Sequence, residues 1–185
     1  MEKFFDNFVW MIPNLALASL GFVFGLFYLN SKNIFLRTIF FVLWILFLPN
    51  TIYLLTDIQH YFVQLTEVDL FGAFLLTVQY LVLMAFGVLT YFAGMMPMEK
   101  YFRRHKSKKN FDYMFVIFNF AIAFAVVLGK IERTHSWYVF TQPIRVLEDI
   151  VSVLTTPILL TLVILFGIFV NVIYFGFRRR FSKLK

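Results

Sequence analysis

Charged positions are confined to short stretches of the chain, and long apolar runs separate them. Residues 7–31 carry no charge, which exceeds the roughly 20 residues needed to cross a bilayer's hydrocarbon as helix. Residues 38–56 form a second uncharged run, worth about 28 Å as continuous helix. Residues 70–98 form a third, long enough to imply tilt. Residues 113–129 are shorter, with Asp112 and Lys130 at their ends able to reach outward. A fifth run covers residues 150–177. The pattern predicts an all-α, multipass transmembrane helical bundle of about five spans, near residues 8–30, 36–56, 70–96, 112–129 and 151–177, in one domain over residues 1–185. Four or six spans are the alternatives if the Pro49 segment is re-entrant.

Prolines and glycines refine these spans. Pro49 removes an amide donor and disfavours helix at Leu48, so the second span is expected to kink or end there, with Asn50 or Thr51 capping a short helix toward His60. Such a break needs internal partners for its backbone and must face protein or water. Pro157 marks either a kink in the fifth span or its true start. Gly21 and Gly25 form a GxxxG spacing that permits close helix approach. The first span is not read as a cleaved signal peptide: Glu2, Lys3 and Asp6 replace a positive cluster, and no small-residue cleavage site closes it.

Composition agrees with this reading. The 185 residues are 61% hydrophobic and 15% charged, whereas soluble domains are about half apolar and about one quarter charged. A water-soluble domain is therefore excluded, and the length leaves no room for a separate catalytic domain outside the bilayer. The absence of cysteine removes disulfides, thiolate metal sites, iron–sulfur centres and a cysteine nucleophile. Residues 99–110 set Lys100, Arg103, Arg104, Lys106, Lys108 and Lys109 against Glu99. The tail adds Arg178, Arg179, Arg180, Lys183 and Lys185. These two clusters together exceed the whole chain's +7, so the remainder is net acidic. With five spans both clusters, and Lys32 and Arg37, fall on one side, which the positive-inside rule assigns to the cytoplasm. The expected location is a bacterial inner membrane, with the N-terminus outside and the C-terminus cytoplasmic. Membrane lipids are expected partners, through anionic headgroups at the basic clusters; each cluster abuts a span, so nucleic acid is not an expected partner.

The outward connections are rich in residues capable of chemistry. One segment, LFLPNTIYLLTDIQHY, places Asp57 and His60 three apart on a helix face. The other, GKIERTHSWYVFTQP, holds Lys130, Glu132, Arg133, His135, Ser136 and Trp137 within eight positions. Asp57, His60, Glu132, Arg133 and His135 are the candidate catalytic residues; Asn50, Tyr53, Asp57, Lys130, Arg133 and Trp137 are the candidate binding residues. Carboxylates and imidazoles here suit proton transfer, and Arg133 with Lys130 suits a phosphate or carboxylate. Asp57, His60, Glu132 and His135 also have the donor types of a zinc site, but their spacing matches no metal motif, so no metal is assigned. Ser136 beside His135 is no triad, because adjacent side chains do not face each other. No cofactor is named by the sequence. A plainer reading pairs Asp57 with Arg133 or Lys130 to hold the two connections together. The broken second span suits a transporter, yet the other spans carry no charge and five spans do not divide into equal halves. Asn14, Gln79, Asn119 and Asn171 are read as interhelical polar glue, and Trp10 and Trp137 as boundary anchors.

These two segments resemble signatures of a bacterial multipass family, domain of unknown function 1361. Its Leu-Pro-Asn-x-x-Tyr, Thr-Asp and nearby His are similar to Leu48, Pro49, Asn50, Tyr53, Thr56, Asp57 and His60. Its later Gly-Arg-x-x-Arg-x-Asn-Ser-Trp-Asp resembles Gly129, Lys130, Arg133, His135, Ser136, Trp137 and Tyr138. Residues 14–18, NLALA, resemble its early span. Lys130 stands for arginine, His135 for asparagine and Tyr138 for aspartate, which shifts weight from His135 to Asp57 and Arg133. The resemblance implies an integral membrane protein and names no activity.

The expectation that follows is a structural or accessory membrane component with an outward polar site at the ends of spans two and four, alone, as a homo-oligomer or with a membrane-protein partner. The alternatives are a membrane-embedded enzyme acting on a lipid-linked or envelope substrate, and a small-solute transporter subunit.

Overall fold

The computed structural model describes the backbone of residues 2–105 and 108–182, and the side chains of residues 3–100 and 112–179. The described residues are helical, without strands. In chain order they form α1 (Glu2–Asn30), α2 (Ile34–Phe47), α3 (Pro49–Tyr53), a 3-10 turn (Leu54–Asp57), α4 (Ile58–Leu65), α5 (Leu70–His105), α6 (Lys108–Val127), a π-helical turn (Leu128–Glu132), α7 (Tyr138–Thr141), α8 (Pro143–Thr155) and α9 (Pro157–Ser182). Among these residues five stretches are long and apolar enough to cross a membrane: Lys3–Asn30, Ile34–Leu65, Leu70–Lys100, Asp112–Glu132 and Pro157–Arg179. The side chains of most of the basic cluster at residues 99–110, and of the tail beyond Arg179, lie outside the described residues. The chain forms two compact units, Met1–Pro97 and Met98–Lys185.

In the first unit α1 and α2 pack as an antiparallel pair. Asn33 caps α2, its Oδ1 accepting from the Phe35 and Leu36 amides at 2.9 and 3.4 Å, an arrangement worth about 1 kcal/mol. Pro49 breaks the second span: α2 stops at Phe47 and α3 begins at Pro49, which has no N–H for the carbonyl one turn back. The two residues after it satisfy the Phe47 and Leu48 carbonyls at the break. Asn50 Nδ2 donates to the Phe47 carbonyl at 3.1 Å, and Thr51 donates both its amide (3.1 Å) and its hydroxyl (2.7 Å) to the Leu48 carbonyl. The arm then continues through the 3-10 turn into α4.

Three glycines let other helices close on this break. A β-carbon at Gly21 of α1 would stand 2.8 Å from the Phe47 carbonyl oxygen and 3.0 Å from Leu48 Cα. One at Gly94 of α5 would meet Leu48 Cδ1 at 2.6 Å, and one at Gly87 the Thr51 carbonyl oxygen at 2.8 Å. Gly25 gives the same closeness to Trp44, whose indole N–H donates to the Gly94 carbonyl at 2.8 Å. The GxxxG spacing of α1 is thus a packing device.

In the second unit α6 packs along α9. Buried Asn119 donates to Asn171 Oδ1 at 3.0 Å, and Asn171 donates to the Gly167 carbonyl at 2.8 Å. Phe115 and Tyr174 stack with ring centroids 5.0 Å apart. Pro157 is the start of the last long helix: Thr156 before it is extended, as a residue preceding proline prefers. Residues 151–155 belong to α8, a separate helix that begins at Pro143.

Gly21→Ala should lower the unfolding free energy in detergent by about 1–3 kcal/mol, the usual cost of overpacking. Gly176, with nothing within 4 Å of its position for a β-carbon, should accept alanine with no loss and a gain of up to about 1 kcal/mol. Equal unfolding midpoints for both variants would contradict the close packing at the break.

Candidate functional site

Asp57 closes the 3-10 turn that follows the Pro49 break, and only 2% of its surface is exposed. Its carboxylate accepts from Asn14 Nδ2 of α1 at 3.4 Å. Of the residues read with it, Tyr53 and Asn50 are half-buried on the same arm, while His60 is exposed on α4. The His60 ring lies 5.5 Å from Trp10 and its Nε2 is 3.4 Å from Gln59. Asp57 and His60, three apart in sequence, therefore occupy different environments: the carboxylate is inside the unit and the imidazole at its surface.

A larger polar cluster sits one turn further along. Asn7, 1% exposed, donates to Gln64 Oε1 and Gln79 Oε1, both at 2.9 Å. Its own Oδ1 accepts from Gln64 Nε2 at 2.8 Å and from the Trp10 indole at 3.1 Å. Gln79 Nε2 donates to the Phe4 carbonyl at 3.0 Å, and Tyr80 to Gln64 Oε1 at 3.3 Å. The amides of α1, α4 and α5 thus meet at Asn7, which pairs reciprocally with Gln64 and donates to Gln79. Lys3 and Glu67 pair at 2.9 Å beside it on the surface. Gln79, inside an apolar run, is legible in the sequence as interhelical glue; Asn7 and Gln64 are not, because each lies at the edge of a span, where a polar residue carries no periodic signal.

The other signature lies in the second unit. Arg133, with φ 56° and ψ 35°, is left-handed and ends the π-helical turn; it is the one non-glycine residue with positive φ among the described residues. Its side chain is exposed, as is that of His135, whose ring stacks on Trp137 at 4.4 Å. Glu132 turns to α8, where the Ser152 hydroxyl donates to it at 2.8 Å. Thr134 donates to Asp149, also of α8. Arg145 lies 3.9 Å from Asp149 and 4.8 Å over the Tyr138 ring. Lys130 is half-buried. Within either unit the described residues include no group of three or more side chains able to hold a metal ion.

A third polar group joins the far ends of α5, α6 and α9. Arg178 donates to Asp112 at 2.7 Å and lies 3.9 Å from Glu99, which accepts from the Tyr174 hydroxyl at 2.7 Å. Arg178, grouped by sequence with the tail's orienting charges, is neutralised within the fold.

Asn7→Leu removes two acceptor bonds and two donor bonds at once and should lower stability by about 1–3 kcal/mol. A double-mutant cycle of Asn7 with Gln64 should give a coupling of about 0.6–1.7 kcal/mol, the range for interhelical hydrogen bonds in membrane proteins. Strict additivity would mean that the Asn7–Gln64 pair does not form.

No curated protein and no solved structure matches the chain. The model of a family described as protein of unknown function (DUF1361) matches residues 13–173. That match takes in the Pro49 break, Asp57, the turn at Arg133 and the length of α8, and on it the chain belongs to this family.

Proposed function

We propose that the chain is a structural or accessory component of a bacterial inner membrane, crossing it five times with the N-terminus outside and the C-terminus in the cytoplasm. One observation carries the structural reading: the buried polar side chains at the span ends are satisfied within the protein. Among the described residues, no buried side-chain nitrogen or oxygen lacks a hydrogen-bond partner. The amides of Asn7, Gln64 and Gln79 use their donors and acceptors on one another and on Phe4, Trp10 and Tyr80, which joins three helices. Asp57, with Asn14, holds the arm after Pro49 against α1. The orientation rests on Lys32, Arg37 and the basic residues of positions 99–110 and 179–185, which a count of five spans puts on one side and the positive-inside rule assigns to the cytoplasm.

Two measurements test this reading. The chain has no cysteine, so single cysteines at His60, His135 and Lys32 report topology without background. An impermeant maleimide should label the first two in intact cells, and the third only after permeabilisation; the reverse pattern inverts the orientation. Asp57→Ala should lower protein abundance and stability by about 1–3 kcal/mol, and Asp57→Asn, which keeps an acceptor for Asn14, should restore most of that loss. Normal abundance of Asp57→Ala together with a changed envelope composition would favour the enzyme reading instead.

A further inference from the structure

α8 is 13 residues long, about 20 Å of helix, too short for the roughly 30 Å of hydrocarbon. It is nevertheless bracketed by two stretches that can cross, ending at Glu132 and beginning at Pro157. Two consecutive spans emerge at the same boundary, so α8 stays close to it.

The polarity of α8 is inverted relative to a helix on a soluble protein, which turns its polar face outward. Asp149 and Ser152 face the protein, bonded to Thr134 and Glu132. Val153, fully buried, lies on the same face and packs with Val127, Leu128 and Val163. The opposite face is apolar and open: Ile144 is 72% exposed, Leu147 62%, Val151 57% and Leu154 55%. Their spacings of three, four and three put them on one stripe. Beside the stripe stand exposed Glu148 and Arg145.

We infer that α8 lies in the plane of the outer leaflet, with the stripe from Ile144 to Leu154 among the acyl chains and Arg145 and Glu148 at the headgroups. The inference rests on the membrane reading above and adds a lipid-immersed element outside the five spans. The occupant of the open face is lipid because the stripe runs on into the exposed face of a span, which the membrane reading sets against acyl chains. Three residues after Leu154 the span α9 begins, and its Ile158 and Leu165 are 64% and 59% exposed. The charged edge fits the headgroup layer, as in helices that lie at a membrane interface. Exposed Trp137, stacked on His135, suits that depth as well.

The test uses the full-length chain in vesicles of phosphatidylethanolamine and phosphatidylglycerol. Single cysteines at Leu147, Val151, Glu148 and Ile164 carry a spin label, and collisions with oxygen and with a water-soluble nickel chelate are compared. The labels at Leu147 and Val151 should favour oxygen over nickel more strongly than the label at Glu148, at a depth shallower than Ile164 in α9. Nickel access at Leu147 and Val151 with oxygen access at Ile164 would place α8 in water and overturn the inference while leaving the spans intact. Protection of Leu147 and Val151 from both reagents would mean a protein partner covers the stripe, and a depth equal to that of Ile164 would mean a re-entrant helix; each overturns it. Nickel access at Ile164 too would overturn the membrane reading itself.

Discussion

A backbone break inside an apolar medium must find every hydrogen-bond partner within the protein, and the first unit is arranged around that requirement. Pro49 removes a donor in the middle of the second long helical stretch. Asn50 and Thr51 answer from within the same turn, each donating to a carbonyl just before the proline. Because these bonds are local, the break is narrow, and Gly21 and Gly87 can lie against its backbone and Gly94 against the Leu48 side chain. Any side chain at those positions would hold α1 or α5 away and leave the break less well covered. The Leu-Pro-Asn-Thr segment and glycines distant in sequence are therefore one device.

The same economy recurs wherever polar groups meet the apolar helices. Asn7 joins Gln64 and Gln79 across three helices, and Asn14, also of α1, reaches Asp57. Glu132 and Thr134 find partners on α8, and Arg178 gathers Asp112 and Glu99. These contacts are individually modest, since interhelical hydrogen bonds in bilayers average about 0.6 kcal/mol. Leaving one unmade costs more than making it gains, so the network selects one arrangement among many apolar ones.

The helices were legible because uncharged runs report transfer into lipid, which depends on composition and not on partners. The break at Pro49 and the closeness of Gly21 and Gly25 were legible for a similar reason: proline and glycine act through their own backbone. α8 was harder to see. Its polar residues Arg145, Glu148 and Asp149 extend an apparent hydrophilic connection, and its last residues merge with the uncharged run that continues into α9. Reading it required knowing that Asp149 and Ser152 face inward. The candidate site divides along the same line. Asp57 stood out as a lone carboxylate after an apolar run, whereas Asn7 and Gln64 acquire meaning only through each other across 57 positions of sequence.

The amide pair between α6 and α9 has a consequence for how those two helices are registered. Toward one end the Phe115–Tyr174 stack and the Arg178–Asp112 pair also join them, but in the apolar middle dispersion changes little when one helix slides along the other. Asn119 and Asn171 remove that freedom. A shift by one turn, about 5.4 Å, would separate the amides and leave each beside hydrocarbon, although the apolar contacts would re-form. The pair acts as a dowel: it contributes little to the strength of the joint, and it determines where along its length the joint is made.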